Sequence, residues 1–178
     1  MTLSQHERSL RGLVAAINSE ALAETVLVPS ADRLLARIKK RVKDGKNSND
    51  GNIGKYSTKP ITVSSKQFVA GGFTPTSKTK GRKSNSMYLP QGYKQLRQVQ
   101  GLKSDSVNVE YSGALISNLK VKRIAKSVFI ALFTKKQIAK RRFLEAKYGS
   151  IFTASRSEFQ DHKKDVAKAF DAFVKNKR

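Results

Sequence analysis

The sequence predicts an α+β fold: N-terminal helices, a small antiparallel sheet, C-terminal helices, and a long basic loop. Three observations carry that reading. Leu10, Leu13, Val14 and Ile17 recur at i, i+3, i+4 and i+7, one face of an amphipathic helix. Val107-Asn-Val109-Glu-Tyr111 alternates apolar with polar residues, and Ser127–Phe133 is the most apolar run in the chain, so both read as strands. Ser155-Arg-Ser-Glu158 is a capping box that opens a last helix with Phe159, Val166, Phe170 and Phe173 as its stripe. Helices, then strands, then helices make the class α+β.

Taken in order, Pro29 interrupts the first helical pattern, and Ser30 is placed to cap a second. Leu34, Leu35, Ile38 and Val42 form the second stripe, with Arg33, Arg37, Lys40 and Arg41 on the other face and Gly45 as the stop. The reading is two helices, or one long kinked one, over about 4–44. Residues 45–59 are a turn-rich loop, and Ile61-Thr-Val63 starts a strand. Residues 70–86 are small, polar and basic with almost nothing to bury, which predicts a mobile loop or arm. A short helix around 92–100 ends at Gly101. Ser112–Asn118 reads as a helical turn, and Leu119, Val121 and Arg123 begin a strand that turns near Ala125-Lys126 into the buried run 127–133. Thr134 caps a helix over 135–148 that Gly149 ends, with Ile138, Ala139, Phe143 and Ala146 on one side. The whole, 1–178, reads as a single domain with an N-terminal helix or arm (1–29), the basic loop (70–86) and a C-terminal helical extension (153–178).

The 178 residues hold 36 Lys and Arg against 13 Asp and Glu, a formal net charge of +23. A lone domain gains nothing from so much self-repulsion, so the chain works beside something strongly negative: nucleic acid, an acidic protein surface or a membrane. The hydrophobic fraction of 38% lies below the usual value for a compact globule and allows only a modest core. Without Cys there is no disulfide framework and no thiolate metal site. No apolar run approaches the roughly 18 residues of a membrane span, and the polar N-terminus MTLSQHERSL is unlike a secretory signal. Residues 61–125 carry 11 basic and 2 acidic groups, so the basic loop in that stretch has few internal counter-charges.

Chemistry-bearing patterns are sparse. His6 and His162 stand far apart with no ligand spacing around either. The loop 46–57 has a faint calcium-loop outline, but Lys46 and Ser57 occupy the positions of its essential carboxylates. No close carboxylate pair sits at the end of a predicted strand, and no nucleophilic Cys, G-x-S-x-G or phosphate loop is present, so no enzyme and no cofactor are expected. The sharpest cluster is Lys78, Lys80, Arg82 and Lys83, which suits contact with phosphate or with an acidic protein groove, against the plainer reading of a solvated loop. The cluster Lys135, Lys136, Lys140, Arg141 and Arg142 spreads around a helix and reads as a solvated outer face. Phe170 and Phe173 read as a packing face, against the chain's own core or against a neighbouring copy.

Three local patterns together resemble a known family. They are Arg37–Lys46 leading to Asp50-Gly-Asn-Ile-Gly-Lys-Tyr-Ser-Thr-Lys-Pro60; Tyr88-Leu-Pro-Gln-Gly-Tyr-Lys-Gln-Leu-Arg-Gln-Val-Gln-Gly101; and Asn108-Val-Glu-Tyr-Ser-Gly-Ala-Leu-Ile-Ser-Asn-Leu119 followed by a strand and a helix ending Glu145-Ala-Lys-Tyr-Gly149. Over about 33–152 this order resembles the neck and tail-completion (head–tail connector) proteins of tailed bacteriophages. The resemblance implies a structural virion protein without catalytic residues, assembled in the host cytoplasm into a ring of its own copies between portal or adaptor and tail proteins. It implies no membrane and only non-specific proximity to phage DNA in the channel. The basic loop and the helix after Ser155 extend beyond the family pattern. The alternative from another class is a basic nucleic-acid-binding protein of ribosomal or nucleoid type, which accounts for the charge but not for the motifs.

Overall fold

The computed structural model describes residues 3–68, 72–75, 78–79, 82–83, 85–109, 113–132 and 134–176. The fold is α+β. Helix α1 (Leu3–Ile17) runs to a break at Asn18-Ser19, where the axis bends by 62°. Ser19 caps the next helical turn, α2 (Glu20–Leu22), and the chain continues through a π turn (Ala23–Leu27) into α3 (Val28–Lys43).

Pro29 therefore does not interrupt the helix, and Ser30 is no cap: it is fully buried inside α3. A proline has no N–H and its ring crowds the carbonyl four residues back, here that of Thr25. Widening the preceding turn, so that Val28 N–H bonds Ala23 O, accommodates the ring without ending the helix. Gly45 ends α3 as expected, at φ +83°, with its N–H donating to Val42 O at 3.0 Å.

The strands form three separate antiparallel pairs rather than one small sheet. β1 (Ile61–Ser64) pairs with β4 (Ser86–Leu89), setting Val63 opposite Met87. β2 (Lys78–Thr79) and β3 (Arg82–Lys83) make a two-residue ladder inside the stretch expected to be irregular. β5 (Leu119–Ile124) and β6 (Ser127–Leu132) pair over their full lengths, Lys122 opposite Phe129, around a turn where Ala125 has φ +50°.

Val107–Val109 is not a strand. Val107 N–H donates to Gly54 O at 2.9 Å, Asn108 N–H donates to Tyr56 Oη at 3.2 Å, and Val109 has φ +56°. The alternation thus belongs to a loop held by the 54–56 segment, with two of its N–H groups already engaged; Glu110 and Tyr111 lie outside the described residues. The calcium-like loop is a closed turn in which Asn47 Oδ1 accepts from the N–H groups of Asn49 and Gly51, at 2.9 and 3.1 Å.

The main core gathers α3 (Leu35, Ile38, Val42), Leu119 of β5 and Ile151-Phe152. A satellite core of Val63, Leu89 and Leu96 lies between the β1–β4 pair and α4 (Gly92–Val99). Gly92 starts α4 at φ +60°, and a Cβ there would stand 2.1 Å from Lys59 O. A short helix, α5 (Ala114–Asn118), leads into β5, and α6 (Lys135–Tyr148) follows β6 with Thr134 and Gly149 as its caps. The last helix, α7 (Arg156–Lys175), opens with the Ser155/Glu158 capping box and packs antiparallel on α3.

Two ion pairs set that packing. Arg41 Nε donates to Glu158 Oε1 at 2.9 Å with both side chains buried, and Arg37 meets Asp165 at 2.7 Å one turn back along α3. Arg41 also donates to three backbone carbonyls: Lys46 O at 3.1 Å, Ile151 O at 3.2 Å and Thr153 O at 2.8 Å. A buried guanidinium is tolerated only when its donors are matched in this way.

Candidate functional site

A groove of about 710 Å³ opens between α6 and the loops that carry Tyr56 and Val107. Its existence follows from the way α6 is turned. The inward residues are Gln137, Arg141, Leu144, Glu145 and Tyr148, spaced i, i+4, i+7, i+8 and i+11. Arg141 Nε donates to Glu145 Oε2 at 2.9 Å, Glu145 Oε1 accepts from Phe152 N–H at 3.3 Å, and the Arg141 guanidinium lies 5.9 Å from the Phe152 ring. These anchors outcompete burial of the apolar stripe. Ile138, Ala139, Phe143 and Ala146, which the sequence sets on one side of the helix, are exposed, Phe143 at 68%.

The groove wall opposite α6 is aromatic and basic. Arg97, 1% exposed, lies 4.5 Å above the Tyr56 ring and donates to Asn108 Oδ1 at 3.0 Å. Tyr56 packs against Tyr93 with ring centroids 5.5 Å apart, and its hydroxyl donates to Asn108 Oδ1 at 3.1 Å. Burial pushes the Tyr56 phenol above its ordinary value, and its bond with the Asn108 backbone opposes that push. Lys140 and Lys147 line the groove from α6.

A second surface is the outer side of the β5–β6 ribbon. Burial alternates along β5 and over Ser127–Ile130 of β6, with Ala131 half-buried: Leu119, Val121, Leu132 and Ile130 face inward, while Lys120, Lys122, Ile124 and Phe129 face out. Phe129 is 50% exposed. The run 127–132 is therefore not a buried strand, because among the described residues this pair has cover on one face only; Phe133 lies outside the described residues. Arg123, on the inner side, pairs with Glu20 at 3.0 Å and Glu24 at 3.2 Å.

Of the residues singled out in the basic loop, the backbone places Lys78, Arg82 and Lys83 on the β2–β3 ladder, with Lys78 opposite Lys83. Lys80 lies outside the described residues. Phe173 is buried in its own chain, so its ring is engaged in the monomer fold, whereas Phe170 is half-buried and Phe159 is exposed with Lys163 Nζ 4.9 Å above its ring. The aromatic stripe of α7 is thus divided between core and solvent. The groove and the ribbon face were both missed by the sequence reading. Only the strict alternation of Lys120 and Lys122 across from the Ser127–Leu132 run could have signalled the second.

Arg37 Nη1 and Asp165 Oδ2 make a short, off-axis contact. That contact is the main cause that holds the Asp165 carboxyl below the ordinary carboxylate range and raises the Arg37 guanidinium, with burial opposing both. Among the described residues no three His, Asp or Glu side chains gather as a metal site, and no single helix is long and apolar enough to cross a membrane. Comparison with protein-family models, curated proteins and solved structures gave no match.

Proposed function

We propose that the chain is a structural, non-enzymatic subunit of the neck of a tailed phage, a ring-forming head–tail connector or tail-completion protein, as the sequence resemblance implies. One structural observation carries the reading: two helices keep apolar faces that no described residue covers. On α1, Leu10, Val14 and Ile17 are 52%, 56% and 39% exposed, and on α6 the corresponding residues are Ile138 and Phe143.

Exposed apolar patches of this kind mark interaction surfaces, and two different ones on one chain suit the head-to-tail contacts from which rings close. The divided core, the three isolated strand pairs and the net charge of +23 fit a body that gains order and neutralisation from neighbours. The partners are other copies of the chain, the portal or adaptor above and the tail proteins below, with the basic loop (Lys78, Lys80, Arg82, Lys83) and the half-buried Phe170 of the α7 stripe as contact elements.

The test is an image of intact particles in which the chain is traced. Density for it at the junction of head and tail is the expected result; its absence from particles, or a location elsewhere, overturns the reading. Replacing the four basic-loop residues by Ser weakens assembly or attachment, and normal particle yield from that variant counts against the loop.

A further inference from the structure

We propose that α1 of one copy lies lengthwise on the outer side of α6 in the next copy, parallel to it and in a fixed register, as a short two-stranded coiled coil. This pairing rests on the head-to-tail reading above and names the two surfaces that meet.

Spacing comes first. On α1, Glu7, Leu10, Val14 and Ile17 fall at i, i+3, i+7 and i+10, and all four are exposed. On α6, Lys136, Ala139, Phe143 and Ala146 repeat the same intervals and are also exposed. Steps of three, four and three mark the a/d seam of a heptad, the row that faces a partner helix. At about 100° per residue, the α6 row points away from Gln137, Arg141, Leu144, Glu145 and Tyr148, which turn toward the body. Both rows stay exposed within one chain, so the partner of each is a second copy.

Side-chain chemistry then selects the pairing and its direction. In a parallel pair, a meets a and d meets d. That alignment sets Glu7 beside Lys136 and Val14 beside Phe143, and seats the bulkier Leu10 and Ile17 on Ala139 and Ala146. The antiparallel alignment drives Leu10 onto Phe143 and Ile17 onto Lys136. Two α1 helices together would oppose Glu7 to Glu7, and two α6 helices Lys136 to Lys136. The surfaces complement each other and not themselves, which makes the contact heterologous. One flanking contact opposes it: Arg11, at the position after Leu10, comes beside Lys135.

The chain has no Cys, so single cysteines report the register. Full-length Leu10→Cys is mixed with full-length Ala139→Cys under mild oxidation, and the linked dimer is read on a non-reducing gel and by peptide mass. This pair links. Leu10→Cys with Ala146→Cys does not, because the second site lies about 10.5 Å further along the axis and a disulfide spans Cα atoms no more than about 7 Å apart. In sedimentation, Glu7→Lys weakens self-association about two- to fivefold, Glu7→Lys/Lys136→Glu restores it, and Arg11→Glu strengthens it by a similar factor. Thermal melts check that each variant is folded. The proposal is overturned if the 10/139 pair links no better than the 10/146 pair, if Leu10→Cys links to itself as readily, or if folded Glu7→Lys and Glu7→Lys/Lys136→Glu associate equally. A chain that gives the 10/139 link but is absent from particles keeps the contact and removes the neck reading. A chain present at the neck that does not give the link keeps the neck reading and removes the contact.

Discussion

Arg41 and Glu158, 117 residues apart in the chain, form a buried ion pair at 2.9 Å that joins the end of α3 to the first turn of α7. Glu158 serves twice, since its other oxygen accepts Ser155 N–H at 2.8 Å in the capping box. The local cap and the long-range pair therefore fix the same rotamer.

Removing one partner leaves the other charge buried, which costs about 3–5 kcal/mol. Urea unfolding of Arg41→Ala and of Glu158→Ala should each show a loss of that size. The pair Arg41→Met/Glu158→Met should lose less than the sum of Arg41→Met and Glu158→Met, because the two sites share one interaction. Additive losses would mean that the pair does not act as a unit.

The neighbouring Arg37–Asp165 pair makes stability depend on acid. The Asp165 carboxyl has a lowered folded-state pKa, with the Arg37 contact as the main cause. Its contribution is then fully present above the unfolded value, about 3.9, and disappears as pH falls through the lowered folded value. Denaturant midpoints of the wild type and Asp165→Asn should differ above about pH 5 and converge in stronger acid. A constant gap across that range would remove Asp165 as the cause.

Gly92 is a place where the backbone tolerates no side chain. At φ +60° and with Lys59 O 2.1 Å from the position of a Cβ, Gly92→Ala must displace the loop that precedes β1. Gly101 has a similar φ, +67°, with open space around it. Gly101→Ala should cost about 1 kcal/mol, the strain of a positive φ alone, and Gly92→Ala clearly more. Equal midpoints for the two variants would show that the loop yields freely.

Phe143 tests the uncovered face of α6. Phe143→Glu replaces a ring that is 68% exposed, so the stability of the isolated chain should change by no more than about 0.5 kcal/mol. Incorporation into particles should fall sharply if that face meets a neighbour. A folded variant that assembles at the wild-type level would show the face to be idle.

Local signals were legible where a few adjacent residues decide the outcome. The Ser155/Glu158 capping box, Thr134, Gly45 and Gly149 all end or begin helices as read. The readings that failed depended on distant partners. Which face of α6 turns inward was not legible, because Glu145 is anchored by Phe152 N–H, outside the helix. The alternation at 107–109 looked like a strand because nothing in it signals that Gly54 and Tyr56 take its N–H groups. Ser127–Phe133 is apolar enough for a two-sided core, yet the described residues cover one side of Ser127–Leu132. The α3–α7 pairing and the β5–β6 surface likewise arise from residues brought together only by the folded chain.

The bend of 62° at Asn18-Ser19 takes α1 off the line along which the π turn and α3 continue. Past that bend the chain is tied to the body, by the burial of Ala23 and Val26 and by the pairs of Arg123 with Glu20 and Glu24. The first helix is thereby a handle, its greasy side of Leu10, Val14 and Ile17 offered outward.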